Sequence, residues 1–321
     1  MKRIPLLLTT LLALPLIHAQ GALTDDIKQL SAKDVHAIQG ADKWLFLRQE
    51  LVSLSKGPIT AESAAPAISS IINYQKALAA ENVALIVVPV PTKAEIYPDK
   101  LVAGAKSDEL ANHEAGLIAG LKSGGVTVID LAKAYHTKRQ ADPNTLLYCE
   151  RDAHWSPAGI AIATDLILAE IKDKSWFGAP KELAAPETIQ ITGDLMTTPE
   201  TQALGAEKIT IQRTKELVPP TTTTSPALLM GDSHTMVFST GANAGFHCQG
   251  AGILDLLQAK TGTPFLLFAN NNGGTDTARR QLALQAVPKP DFWNDKKVVV
   301  WCFSLREITE KKWKNFPIKK G

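Results

Sequence analysis

The chain has 321 residues, 45% of them hydrophobic and 21% charged, with a formal net charge of +2. That length and composition allow a sizeable core in one large or two small domains and exclude a disordered or low-complexity chain. So mild a charge, with no block of Lys and Arg, argues against a nucleic-acid partner.

The N-terminus reads as an export signal. Met1, Lys2 and Arg3 make a short basic start. "IPLLLTTLLALPLI" follows as an apolar run too short to span a bilayer comfortably, and "HAQGA" supplies small residues. The pattern predicts a secretory signal peptide over residues 1–21, cut after Ala19 or Gly21; the alternative is an uncleaved anchor. No Cys follows the apolar run closely, which argues against a lipoprotein. No later run is long and apolar enough for a membrane helix, so residues 22–321 are expected to be soluble.

Pro66 to Asn82 ("PAISSIINYQKALAAEN") carries helical periodicity, and "VALIVVPVP" after it is a continuous β-branched run ending at prolines. Ser107 to Lys122 is again helix-like and stops at Gly124-Gly125. "VTVIDL" (Val126 to Leu131) reads as a second buried strand, and Gly159 to Lys172 as a third helix. "ALLM" (Ala227 to Met230), "PFLLFA" (Pro264 to Ala269) and "KVVVWCF" (Lys297 to Phe303) complete the apolar runs. Helices alternating with wholly apolar strands predict a mostly parallel sheet covered on both faces, an α/β/α sandwich in three layers. A ligand site is then expected beyond the carboxyl ends of the strands. Residues 180–225 break the rhythm. They are rich in Pro and Thr, contain "TIQIT" and "KITIQRT", and end in the stiff connector "PPTTTT", which reads as a small β insertion in one catalytic domain.

Two stretches could carry chemistry. "LLMGDSHTMVF" runs an apolar strand into Gly-Asp-Ser. A strand that turns there into a helix would expose Ser233 Oγ and aim N–H groups at a bound oxyanion. Alone, the motif reads better as a helix cap. The second is "CERDAHWSPAG". Ser156-Pro157 is a strong helix start, so Asp152 and His154 lie in the loop before it. Residues two apart in an extended loop project to one side, where an Asp can orient an imidazole that deprotonates a serine. Alone, this pair reads as a solvated loop. Together the two stretches supply Ser233 as nucleophile, His154 as base and Asp152 as its orienting acid. Asp232 is assigned to turn chemistry, and His234 to packing.

The other histidines, His18, His36, His113, His136 and His247, lack such a neighbourhood; His113 and His136 fall on helix-like segments and are expected at the surface. No H-x-H or E-x-x-H suggests a metal site. Cys149, Cys248 and Cys302 match no zinc spacing. Two of them could pair in an exported chain, or all three could be buried apolar residues.

Several segments, in order, resemble the AlgJ/AlgX family of alginate O-acetyltransferases, which are SGNH-like (GDSL-related) enzymes. They are "GADKWLFLRQEL", with Lys43 where the family usually has Gly, "VPVPTKAEIYPDKL", "RDAHWSPAG", "GDL" (Gly193 to Leu195), "GDSH" and "VVVWCFSLREI". The resemblance covers about residues 40–310. It implies an SGNH-like fold with the acid and base ahead of the serine, a permuted order. It implies a periplasmic enzyme without cofactor or metal. Ser233 would take an acetyl group, and a hydroxyl of an exported polysaccharide would attack the acetyl-serine. A membrane-bound O-acyltransferase would be the acetyl source. The oxyanion hole would use the Ser233 N–H with groups from Asn270, Asn271, Asn272, Gly273 and Gly274. Arg279 or Arg280 would hold an anionic sugar, with at least one of the two a solvated helix residue. Trp155 would either stack on sugar or be buried, Lys93 and Tyr97 would pack a loop, and Arg306 matches a late Arg. The chain ends soon after the last apolar run, so no separate carbohydrate-binding module is expected. Two other functions fit the same residues: a carbohydrate acetylesterase, with water as acceptor, and a non-catalytic polysaccharide-binding protein. An intact Asp152, His154 and Ser233 argues against the last.

Overall fold

The computed structural model of the protein describes residues 22–216, 224–271 and 273–320. The expected signal peptide, most of the "PPTTTT" connector and Asn272 lie outside them. Nine strands are present among the described residues: β1 (Ala37–Gln39), β2 (Leu45–Leu47), β3 (Ala84–Val90), β4 (Thr127–Val128), β5 (Glu187–Ile191), β6 (Glu207–Ile211), β7 (Ala227–Gly231), β8 (Phe265–Ala269) and β9 (Val298–Ser304). Five form one all-parallel sheet in the order β4-β3-β9-β7-β8. β9 is central, pairing from Ala84↔Val298 to Val90↔Ser304 on one side and from Ala227↔Val298 to Gly231↔Cys302 on the other.

The sheet strands are apolar at every position because both faces are covered. In β9, Val298, Val300 and Cys302 face one core while Val299, Trp301 and Phe303 face the other, the period of two that a strand imposes. Helices at 131–141, 157–170 and 253–261 pack on the first face, through residues such as Tyr135, Ile160, Ile167 and Leu257. Helices at 65–80, 115–123 and 276–286 cover the second, through Ile71, Leu78, Leu121 and Leu282. Each fully buried Leu or Ile contributes roughly 1.5–3 kcal/mol. This is the expected α/β/α sandwich. Among the described residues no helix is long and apolar enough to cross a membrane.

Local sequence explains most boundaries. Ser156 caps the 157–170 helix by accepting the Gly159 N–H at 3.2 Å, with Pro157 in the first turn. Two expected elements are shorter. Only Ala115–Ser123 of the 107–122 stretch is helical, because Asn112 adopts φ +71 and breaks the run. Only Thr127–Val128 pairs as β4, because Asp130 leaves the strand to cap the next helix at the Lys133 N–H, 3.1 Å away. His113 and His136 are both buried rather than on the surface; burial lowers the pKa of His113 to about 4 and that of His136 in direction.

Two small antiparallel pairs stand apart from the main sheet. β1 and β2 form one, from "AIQGADKWLFL". β5 and β6 form the other, from Glu187↔Ile211 to Ile191↔Glu207, inside the irregular 180–225 stretch. Both reach the site described next.

Candidate active site

Gly231 ends β7, and the chain turns at once. Asp232 makes the turn: its Oδ1 accepts the His234 N–H at 2.9 Å and faces His234 Nδ1 at 3.0 Å, while Oδ2 accepts the Ser304 N–H at 2.6 Å from the end of β9. Burial would raise the Asp232 pKa, but the His234 imidazole and these N–H donors outweigh it and hold it at about 2. Asp232 is therefore an anionic cap and lies outside the acid–base pair. Ser233 starts only a single 3-10 turn, Ser233–Thr235, where a longer helix was expected. A dipole-rich helix N-terminus is therefore absent. Among the described residues no acceptor takes the Ser233 N–H, which leaves it open to a ligand.

The Asp-His loop meets this turn. His154 and Asp152 are buried, not solvated. Asp152 Oδ1 accepts the His154 N–H at 2.9 Å and meets His154 Nδ1 at 2.7 Å. The imidazole of His154 lies with its ring centre 5.0 Å from that of His234, one residue from Ser233, and the Trp155 indole N–H donates to the His234 carbonyl at 3.0 Å. Burial pushes the His154 pKa down, but the carboxylates of Asp152, Asp194 and Asp232 overcome it and raise it to about 9. Asp152 itself is held well below the usual carboxylate range: burial opposes this, and His154 and His247 prevail. His234 stays neutral, its pKa lowered by burial and by the nearby His154 and Arg306 despite Asp232.

The loop is fastened from three sides. Lys93, fully buried after β3, donates Nζ to the carbonyls of Leu45 (2.6 Å), Glu150 (2.7 Å) and Asp152 (3.1 Å), and lies over the Trp44 and Phe46 rings. Burial brings its pKa down to about 8. Glu50, beneath it, accepts the Lys93 N–H at 3.1 Å and has its pKa raised by burial to about 7. The β5–β6 stretch supplies the rest. Glu207 accepts the N–H groups of Glu150 (2.8 Å) and Arg151 (3.0 Å). Asp194 Oδ1 accepts the Ala153 N–H at 2.8 Å, and the Asp194 N–H donates to Asp152 Oδ2 at 3.0 Å. Gly193 lets these backbones touch: a Cβ there would stand 1.9 Å from the Arg151 carbonyl oxygen. His247 completes the shell, its Nε2 2.9 Å from Asp152 Oδ2.

The structure thus packs the Asp152–His154 loop against the turn that carries Ser233 and adds Lys93, Asp194, Glu207 and His247, to which sequence reasoning gave no site role. "GDL" stood out only as a matched segment, and Lys93 was expected to pack a loop. Other candidates lie elsewhere. Arg279 is fully buried in the second core, donating to Thr275 O, Ser70 Oγ and Asp276 and packed against Trp301, Trp313 and Phe316. It cannot reach a sugar. Arg280 is exposed on the same helix, and Asn271 is exposed before it. Trp155 is fully buried, with no face to stack on. The Gly274 N–H is already given to Glu307 at 3.1 Å and the Gly273 N–H to the Asn270 carbonyl at 3.3 Å, so neither is an oxyanion donor here. Gly274 instead admits the serine turn, since a Cβ there would come within 2.9 Å of Asp232 Cβ. All three cysteines are free and buried.

Asp152, His154 and Asp194 have ligand atoms within 4.8 Å of one another, a spacing that would admit a cation. Yet His154 Nδ1 and both Asp152 oxygens already hold each other, Asp194 and His247. The arrangement is a carboxylate that fixes a buried imidazole beside the serine turn.

The sequence matches the family model described as "SGNH hydrolase-like domain, acetyltransferase AlgX" over residues 37–305. It is 26% identical over 146 residues to the probable alginate O-acetylase AlgJ of Pseudomonas aeruginosa, covering 44% of this chain and 35% of that protein. It is 24% identical over 175 residues to the same-named protein of Pseudomonas syringae pv. tomato, covering 54% and 43%. The matches thus span less than half the length of these relatives. The fold is similar to the O-acetyltransferase domain of Pseudomonas putida AlgJ (TM-score 0.63, 20% identity, 86% of this chain and 93% of that one). It is also similar to Pseudomonas aeruginosa AlgX (TM-score 0.59, 18% identity, 91% and 66%).

Proposed function

The chain belongs to the family of SGNH hydrolase-like acetyltransferases typified by AlgX, and on that premise we propose that it is a periplasmic O-acetyltransferase acting on an exported polysaccharide. The observation that carries this reading is the buried Asp152–His154 pair packed against the Ser233 turn at the carboxyl end of β7. In the first step the Ser233 Oγ attacks the carbonyl of an acetyl ester while His154 Nε2 takes its proton. The tetrahedral oxyanion is held by the open Ser233 N–H. The donor's oxygen leaves with the proton from His154, and acetyl-Ser233 remains. In the second step a sugar hydroxyl gives its proton to His154 and attacks the acetyl carbonyl, which frees Ser233. Asp152 stabilises the imidazolium formed in each step and stays ionised.

The export pattern of residues 1–21 supports the location, and a membrane-bound O-acyltransferase would supply the acetyl group there. The curated relatives are named for alginate, so alginate oligosaccharides are the first acceptors to try. The test is incubation of the enzyme with p-nitrophenyl acetate and such oligosaccharides. The expected results are p-nitrophenol release that Ser233→Ala abolishes and acceptors heavier by one acetyl group. Wild-type turnover by Ser233→Ala would overturn the nucleophile. Free acetate with every acceptor would make the enzyme an acetylesterase.

A further inference from the structure

Asp152 has a histidine on each side. His154 Nδ1 meets Oδ1 at 2.7 Å, and His247 Nε2 meets Oδ2 at 2.9 Å. The N–H groups of His154 and Asp194 take the other positions, at 2.9 and 3.0 Å. A carboxylate has about four acceptor sites, so this one is saturated, and half of its side-chain-to-side-chain contact comes from His247.

His247 reaches Asp152 from an unfavourable backbone. Its φ is +62, and the Cys248 N–H passes over it to the Phe246 carbonyl at 2.7 Å. That is the pattern of the rare, strained classic γ-turn, which a β-carbon disfavours. Phe238, also at positive φ (+60), lies with its ring centre 5.3 Å from the imidazole and ties the loop through its N–H to Phe246 O (3.2 Å). The loop itself asks for no histidine here. Among the described residues Nδ1 has no partner, and the residue borders a cavity of about 350 Å³ with Arg213, Thr240 and Asn243. A strained conformation whose one polar product is a bond to the acid of the Asp-His pair points to a role in that pair.

We propose that His247 is a positioning residue of the reaction: its Nε2–H holds Asp152 in the rotamer that presents Oδ1 to His154 and shares the carboxylate's negative charge. The inference rests on the Ser233–His154–Asp152 reading. His247 faces the Asp152 carboxylate, with Arg213 and Cys248 on its cavity side and Phe238 on its ring. His154 faces Asp152, Asp194, Asp232, His234 and Phe246. Without the second donor the full charge of Asp152 falls on His154, whose imidazolium then releases its proton only at higher pH.

The experiment is the pH profile of kcat/KM for p-nitrophenyl acetate hydrolysis from neutral to alkaline pH, with thermal melts to confirm folding. His247→Phe fills the space without a donor. It is expected to lose about 10–100-fold in kcat/KM, the loss typical of removing a partner that orients a functional group, with the rising limb moved to higher pH. His247→Gln can place its amide nitrogen at the Nε2 position and is expected to restore both. A merely structural role would lower activity in both variants without moving the limb. If Ser233→Ala keeps wild-type turnover, the triad reading falls and this inference with it. If Ser233→Ala is inactive but His247→Phe keeps the wild-type limb, or His247→Gln does no better than His247→Phe, His247 alone is excluded. Should His247→Phe fail to fold, His247→Asn replaces it. Its shorter amide cannot reach Asp152, and it is expected to show the shifted limb; an unshifted limb overturns the proposal.

Discussion

Gly193→Ala tests the clamp that the β5–β6 stretch places on the Asp-His loop. The added Cβ would stand 1.9 Å from the Arg151 carbonyl oxygen, 2.3 Å from its carbon and 2.8 Å from the Asp152 nitrogen. Real Cβ atoms come no nearer than 3.0 Å, so the two segments must part by about 1 Å. Every atom met is backbone, and no rotamer change relieves the clash. The separation stretches two hydrogen bonds, Ala153 N–H to Asp194 Oδ1 and Asp194 N–H to Asp152 Oδ2. Bonds to charged groups are worth about 1.5–3 kcal/mol each and overpacking strain about 1–3 kcal/mol, so with partial relaxation the fold loses about 3–5 kcal/mol. At roughly 2–4 °C per kcal/mol the melting temperature drops by about 10 °C. A displacement of that size in the group orienting the base costs about 100-fold in kcat. Hydrolysis of p-nitrophenyl acetate and a thermal melt measure both. Wild-type kcat/KM with unchanged melting would mean that the β5–β6 stretch does not clamp the Asp-His loop.

Four further outcomes are expected. In the wild type kcat/KM rises as His154 loses its proton near pH 9; Asp152→Asn removes the main group that raises this pKa, so the limb moves toward acid while the maximum falls by about 10³–10⁴-fold. The stabilisation from the same pair is complete below the unfolded imidazole's 6.5 and is lost as pH rises through about 9, which melts across that window will show. Lys93→Met strands the carbonyls of Leu45, Glu150 and Asp152 without their buried donor and is expected to cost about 3–5 kcal/mol in urea titrations, along with most of the activity. Arg279→Met is expected to destabilise by a similar amount, about 3–5 kcal/mol, yet leave kcat/KM and the acceptor KM of the folded enzyme unchanged; a raised acceptor KM would return Arg279 to the binding site.

The layers and strand positions were legible because both-face burial writes itself as unbroken apolar runs, such as Val298 to Phe303. The pairing of "RDAHW" with "GDSH" was legible because each motif is local: a single residue separates Asp152 from His154, and Ser156-Pro157 marks where the loop ends. What the sequence concealed is long-range. Lys93, Asp194 and His247 act on Asp152 from 59, 42 and 95 residues away, and no spacing rule connects them. Arg279 was misjudged for the same reason. A helix position tells which residues share a face, whereas the aromatic box that encloses this guanidinium is built partly by Trp313 and Phe316, far along the chain. Gly273 and Gly274 were expected to help hold an oxyanion, yet Gly274 instead makes room for Asp232 of the serine turn, while Gly273 packs on Thr277 and Asn270.

The order of the sheet also governs when the enzyme can exist at all. β3 and β7 never touch; only β9, almost the last segment made, lies between them. Until it docks, the sheet does not join the strand before Lys93 to the strand before Ser233, and Asp232 lacks the Ser304 N–H that pins its turn. A chain that lacks β9 therefore has no finished five-stranded core to lock into. The serine turn and the Asp-His loop thus gain their common scaffold only with the last strand of the sheet.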